Sequence, residues 1–253
     1  MPALPPGFTA RSFAHRGLHD RGAGRIENSR AACRAAIAAG FGIEIDLQLS
    51  ADGEAMVFHD DDLDRLTPET GPVRARAAQA LSHIPLKGGG ETVPTLAEIL
   101  DLVAGRVPLL IEIKDQDGAL GPDIGPLEAR TAELLRDYAG PVAVMSFNPH
   151  SIARMAQEAP RIPRGLVTEP MRAEHWPGIA PERLAALGRI ADFDRVGASF
   201  VSHYFRALAI PPIAALKARG VPVLCWTVRS PAEAEEAWQI ADAITFENFR
   251  PGH

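Results

Sequence analysis

Apolar, β-branched runs alternate along this chain with alanine-rich runs whose apolar positions recur at helical spacing, the pattern of repeated strand and helix units around a mainly parallel sheet. Eight segments read as strands: residues 12–15, 42–50, 108–114, 141–147, 164–168, 197–202, 221–228 and 242–246. Amphipathic helices are expected over 29–40, 96–105, 127–139, 150–159, 181–193, 210–220 and 231–241. Several of these stop at a glycine just before the next strand, as helix C-termini do. A ninth strand candidate, "AMVFHD", is separated from the carboxylate-bearing "EID" by only the eight residues of strand end and turn "LQLSADGE". A parallel crossover needs a dozen or more residues, so this segment is expected to return antiparallel as a hairpin outside the barrel count. The fold class that follows is α/β, a TIM (β/α)8 barrel with a β-hairpin extension after strand 2.

At 253 residues the chain suits one such barrel, and no linker or composition break divides it, so residues 1–253 read as a single domain. The irregular stretches 18–26, 61–92, 115–126 and 169–182 each follow a strand end or the returning hairpin, where barrel active sites are built. The formal charge of −6 argues against broad nucleic-acid or anionic-lipid binding. Cys33 and Cys225 read as buried free thiols, no export signal opens the chain, and no apolar run reaches bilayer length. These features predict a cytoplasmic protein without stable membrane insertion; they leave the oligomeric state open.

The chemistry begins in "GIEIDLQLS". Alternation puts Glu44 and Asp46 on one face of the strand and Ile43, Ile45 and Leu47 on the other. In "PLLIEIK" the same alternation puts Glu112 and Lys114 on the face shared by Leu110. Three inward carboxylates in a low-dielectric interior call for a cation. An all-oxygen set suits one divalent ion, Mg²⁺ or Ca²⁺ with Mn²⁺ also possible, better than zinc. A purely structural ion-pair network with Arg16 and Lys114 would leave one carboxylate uncompensated and His15 and His59 without a role. Those two histidines end strands at the same mouth and form an acid/base pair. With Arg16 and Lys114 able to hold an anionic phosphoryl group, phosphoryl transfer is the expected reaction class.

At this point the sequence resembles the glycerophosphodiester phosphodiesterase family, through "HRG" at 15–17, "EN" at 27–28, "EID" at 44–46, "DG" at 52–53, "HD" at 59–60, "EIK" at 112–114, "SF" at 146–147 and "WTV" at 226–228. The resemblance implies a metal-dependent barrel hydrolase cleaving small glycerophosphodiesters to an alcohol and glycerol 3-phosphate. It makes Glu44, Asp46 and Glu112 the metal ligands and His15 and His59 the catalytic residues. Arg16, Lys114, Glu27, Phe147 and Trp226 become substrate-binding residues. Departures lie at Ile26, in the longer loop 18–26, at Arg229 and in the ending "TFENFRP". Rival readings are a phospholipase D of sphingomyelinase type, a metal-dependent sugar isomerase or aldolase, and a non-catalytic phosphate-ester-binding barrel. Outside the motifs, His19 and Asp20 read as a solvated loop pair, Gly88 to Gly90 as a flexible loop, and His203 as structural. His175 and Trp176 are candidates for a lid.

Overall fold

The computed structural model describes residues 1–252. Eight parallel strands close into a barrel: β1 (Phe13–Ala14), β2 (Gly42–Leu49), β4 (Leu109–Ile113), β5 (Val142–Ser146), β6 (Arg164–Thr168), β7 (Phe200–Tyr204), β8 (Val223–Val228) and β9 (Ala243–Phe246). Pairing of β1 with both β2 and β9 makes the closure. The remaining strand, β3 (Ala55–Val57), runs antiparallel to β2 with Leu47 opposite Val57, as the short connection requires. One expected strand is displaced: the segment predicted at 197–202 forms at 200–204, and Gly197, at a left-handed φ of 64°, belongs to the turn that precedes it.

Local sequence explains the helices. Ser29 caps α1 (Arg30–Ala39), its hydroxyl accepting from the Ala32 amide at 3.1 Å, and Gly40 closes the helix at φ 75°. Between β3 and β4 lie the one-turn α2 (Ala78–Leu81) and α3 (Leu96–Val103), which starts on a capping box of Thr95 and Glu98. The helices α4 (Pro126–Leu135), α5 (Pro149–Glu158), α6 (Pro181–Gly188), α7 (Pro211–Ala218) and α8 (Pro231–Ala237) all open on proline, whose missing N–H costs nothing there.

The core has two layers set by strand alternation. Outward residues such as Ile43, Ile45, Ile111 and Val144 pack beneath the helices against Ala36, Ile99, Leu127 and Met155. Inward residues Phe13, Leu110, Ala143, Val167, Phe200 and Leu224 fill the barrel, and Phe8 packs on Phe13 with ring centroids 5.1 Å apart. Gly165 makes room for this filling, since a Cβ there would lie 2.4 Å from the Phe200 ring. The stretch 61–92, irregular by sequence, has a core of its own: Met56, Phe58, Leu63, Leu66, Leu81, Ile84 and Val93 pack together with Ile26. Half-buried Gly89 comes close to Gly24 and Ile26 of the first loop, while Gly88 and Gly90 are exposed.

Gly165→Ala should destabilise the fold by about 1–3 kcal/mol through overpacking. Urea unfolding will show it as a lowered midpoint, and Phe200→Leu in the same chain should recover part of the loss. An unchanged midpoint would mean that the barrel filling yields freely.

Candidate active site

The parallel register of β2 and β4 sets Asp46 directly beside Glu112, with Glu44 two residues earlier on the same face. Ligand oxygens of Glu44, Asp46 and Glu112 lie within 4.8 Å of one another, and all three residues are buried. Lys114 extends the strand line of Glu112 and places its ammonium between Asp46 Oδ1 at 2.8 Å and Glu112 Oε1 at 2.6 Å.

Beyond β1 the chain turns sharply, with Arg16 at φ 56° and Gly17 at φ 77°. A Cβ on Gly17 would meet Ala32 at 2.8 Å, so only glycine fits. The turn aims the Arg16 amide at Glu44 Oε2, 3.0 Å away, and brings its guanidinium to 3.3 Å from Asp46. Asn28 holds Asp46 from the other side: its Nδ2 donates to Oδ2 at 2.9 Å while its Oδ1 accepts from the Asp46 amide at 3.2 Å.

These partners divide the charges unequally. Burial opposes the charge of Asp46, yet Lys114, His59 and Arg16 hold its carboxyl far below the usual carboxylate range. Burial, then repulsion from Asp46 and Glu112, pushes Glu44 well above it. Lys114 is held above its usual value despite burial, by Asp46 and Glu112. A carboxylate trio that cannot ionise fully on its resident cations is short of positive charge, and its all-oxygen donors fit a hard divalent ion.

Both histidines reach the cavity of this cluster, from different elements. The β2–β3 hairpin returns Phe58, whose amide donates to the Asp46 carbonyl at 3.0 Å, and His59 follows it into the mouth. His59 Nδ1 meets Asp60 Oδ1 at 2.7 Å. Arg65 ties Asp60 to Glu27 with contacts of 2.6 and 2.8 Å, and Glu27 also accepts from Arg16 at 2.5 Å. His15 Nδ1 lies 2.7 Å from Oε2 of Glu247, whose Oε1 accepts from Arg229 Nε at 2.6 Å. Burial foremost, opposed by the Glu247 contact and reinforced by Arg16, lowers the His15 pKa to about 4, so the ring is neutral at neutral pH.

A cavity of about 170 Å³ unites His15, Arg16, Glu44, Asp46, His59, Glu112, Lys114, Phe147 and Trp226. Of the metal-binding, catalytic and substrate-binding residues assigned from the motifs, Glu27 alone stands outside the lining, as a brace between Arg16 and Arg65 on the edge of a neighbouring groove. Phe147 packs between Trp226 and Trp176, with centroids 5.5 and 5.3 Å away, so Trp176 extends the aromatic wall while His175 stays exposed. His19, expected in solvent, instead has its Nε2 3.7 Å from Glu247. His203 is buried outside the cavity, its Nδ1 2.7 Å from the Thr168 hydroxyl. Sequence patterning missed Glu247 and Arg65. The signal for Glu247 was topological: a closed barrel sets its last strand beside its first, hence the residue after β9 beside His15.

A closed parallel barrel with carboxylates, cations and imidazoles gathered at the carboxyl ends of its strands holds the groups that hydrolysis of a phosphate ester uses. Residues 15–245 match the glycerophosphoryl diester phosphodiesterase family, and the chain belongs to that family, whose reaction class is hydrolysis of glycerophosphoryl diesters. Among its relatives, a glycerophosphodiester phosphodiesterase of Caldanaerobacter subterraneus is 31% identical over 160 residues, covering 59% of this chain and 64% of that one. Another, from Bacillus altitudinis, is 31% identical over 186 residues, covering 70% and 73%. The fold is shared with an Oleispira antarctica phosphodiesterase solved with sn-glycerol-3-phosphate, at a TM-score of 0.76 and 24% identity over 96% of this chain and 93% of that one. No helix among the described residues is long and apolar enough to cross a membrane.

The Glu27 brace sets a pH dependence. Although burial opposes its charge, Arg65 and Arg16 lower the Glu27 pKa from 4.5 to about 2. A carboxyl depressed on folding contributes stability above its unfolded value and loses it as pH falls from about 4.5 towards 2. Glu27→Gln should therefore cost about 1–3 kcal/mol at pH 7. Urea titrations should show the gap from wild type shrinking at pH 3; a gap independent of pH would contradict the brace.

Proposed function

We propose that this chain hydrolyses small glycerophosphodiesters to an alcohol and glycerol 3-phosphate, with His15 and His59 moving the protons. The single observation carrying this reading is the convergence of three buried carboxylates with ligand oxygens within 4.8 Å of one another, in a cavity also lined by two imidazoles. Glu44, Asp46 and Glu112 would hold one divalent cation, Mg²⁺ or Ca²⁺ with Mn²⁺ compatible, which when bound stabilises charge on the phosphoryl oxygens.

Arg16 and Lys114 bind the non-bridging oxygens of the diester, and Phe147 and Trp226 pack against its carbon skeleton. His15, neutral at rest, takes the proton of the attacking hydroxyl as the new O–P bond forms. That hydroxyl belongs to water or to the neighbouring carbon of the glycerol, whose attack within one molecule gains from proximity and gives a cyclic phosphate that a water then opens to glycerol 3-phosphate. The P–O bond to the alcohol breaks, and His59, its ring oriented by the Asp60 contact at Nδ1, delivers its proton to the departing alkoxide. Two buried free thiols, Cys33 and Cys225, favour the reducing cytoplasm as the working compartment. Residues 1–253 act as one catalytic domain in this reading.

Chelation should abolish cleavage of glycerophosphocholine, and added Mg²⁺, Mn²⁺ or Ca²⁺ should restore it, while Glu44→Ala loses at least about 100-fold with an unchanged circular dichroism spectrum. Full turnover by metal-free protein would sink the reading.

The two histidines separate by leaving group. His59→Ala should lose about 10²–10⁴-fold on glycerophosphocholine and far less on a p-nitrophenyl glycerophosphate, whose leaving group needs no proton. His15→Ala should be impaired on both. Equal losses for the two variants on both substrates would refute the assignment of roles.

A further inference from the structure

We propose that Glu247, clamped by Arg229, is the positioning residue that sets the tautomer and orientation of His15; this rests on the acid/base reading above. Glu247 is the first residue beyond β9, and barrel closure sets that strand against β1, with Ala14 opposite Phe246. The His15 amide donates to the Phe246 carbonyl at 2.9 Å, so the two strand ends are tied together before either side chain is considered. The carboxylate then divides its oxygens, Oε2 meeting His15 Nδ1 at 2.7 Å and Oε1 accepting from Arg229 Nε at 2.6 Å. Rotation of the carboxylate forfeits both contacts. Arg229 is itself anchored, its backbone N–H donating to Glu233 Oε2 at 2.7 Å at the start of α8.

The chemistry fixes the proton. An ionised carboxylate only accepts, so the hydrogen on the shared axis belongs to His15 Nδ1, and Nε2 keeps the lone pair. His59 is held in the same way by Asp60, its neighbour in sequence, whereas Glu247 is 232 positions from His15. Glu247 is not among the cavity lining residues, while both of its partners, His15 and Arg229, are, and the tautomer of His15 separates an effect through the imidazole from one through Arg229. Neutral imidazole without such an acceptor partitions between two tautomers, and only one of them presents a basic Nε2 to the attacking hydroxyl.

The isosteric Glu247→Gln tests this sharply. The Arg229 N–H can meet only the amide oxygen, which turns the amide NH₂ towards His15 Nδ1 and imposes the opposite tautomer. With saturating Mg²⁺ and glycerophosphocholine, Glu247→Gln and Glu247→Ala should each lower kcat about 10–100-fold. KM should stay within about twofold, because no group contacting substrate is removed. Long-range imidazole ¹H–¹⁵N spectra, with the His15 signals assigned by their loss in His15→Ala, should show Nδ1–H in the wild type and Nε2–H in Glu247→Gln. A kcat within about twofold of wild type for Glu247→Gln, or an Nε2–H tautomer in the wild type, would overturn the proposal. Full activity in His15→Ala would instead remove the acid/base reading, and the spectra alone would still decide whether Glu247 holds the ring.

Discussion

Three carboxylates held side by side inside a low-dielectric barrel are the constraint from which the rest of this mouth follows. The β2–β4 register sets Asp46 beside Glu112, and a parallel ladder does not slip without turning its apolar face inside out. Like charges forced together must be offset, so the chain gathers donors and cations around them. Lys114 bridges two of the three, Asn28 brackets Asp46, and the Arg16 amide is aimed at Glu44 through a left-handed turn. A side chain bearing a Cβ pays for that φ with steric strain, and the buried contacts it makes are what hold it there.

The two imidazoles at the mouth come from less regular parts of the chain, each fastened to the barrel in its own way. His59 arrives on a hairpin whose insert carries a small hydrophobic core, so the segment behaves as a packed buttress rather than as a loop. His15 sits at a strand end and is reached by Glu247 only because the sheet closes on itself. Two unlike routes thus give each imidazole a carboxylate at Nδ1. The opposite side of the mouth is aromatic, with Trp176, Phe147 and Trp226 in sequence along the wall. Charge on one side and ring faces on the other match a substrate with an anionic phosphate and a carbon chain.

Much of this barrel and its mouth was legible in the sequence. Period-two alternation sorts Glu44 and Asp46 from Ile43 and Ile45, and glycine and proline punctuation brackets the helices between strands. The short link after Leu49 allows only an antiparallel return, which carried His59 to the correct end. Patterning was blind where contacts join distant positions or where structure lacks a period. Arg65 braces Asp60 and Glu27, His19 leaves solvent for Glu247, and the stretch 61–92 buries Leu63, Leu66 and Leu81 without strand or helix spacing.

The sequence by itself determined which side chains share a strand face, where helices begin and end, and which short motifs carry acids, bases and cations. Those properties depend on backbone periodicity and nearest neighbours, which a linear string contains. Only the tertiary structure decided that Asp46 stands beside Glu112, that Glu247 meets His15, and that Glu27 braces Arg16 instead of lining the cavity. Register and closure arise from packing the whole barrel at once around Phe13, Leu110 and Phe200, so no local stretch encodes them.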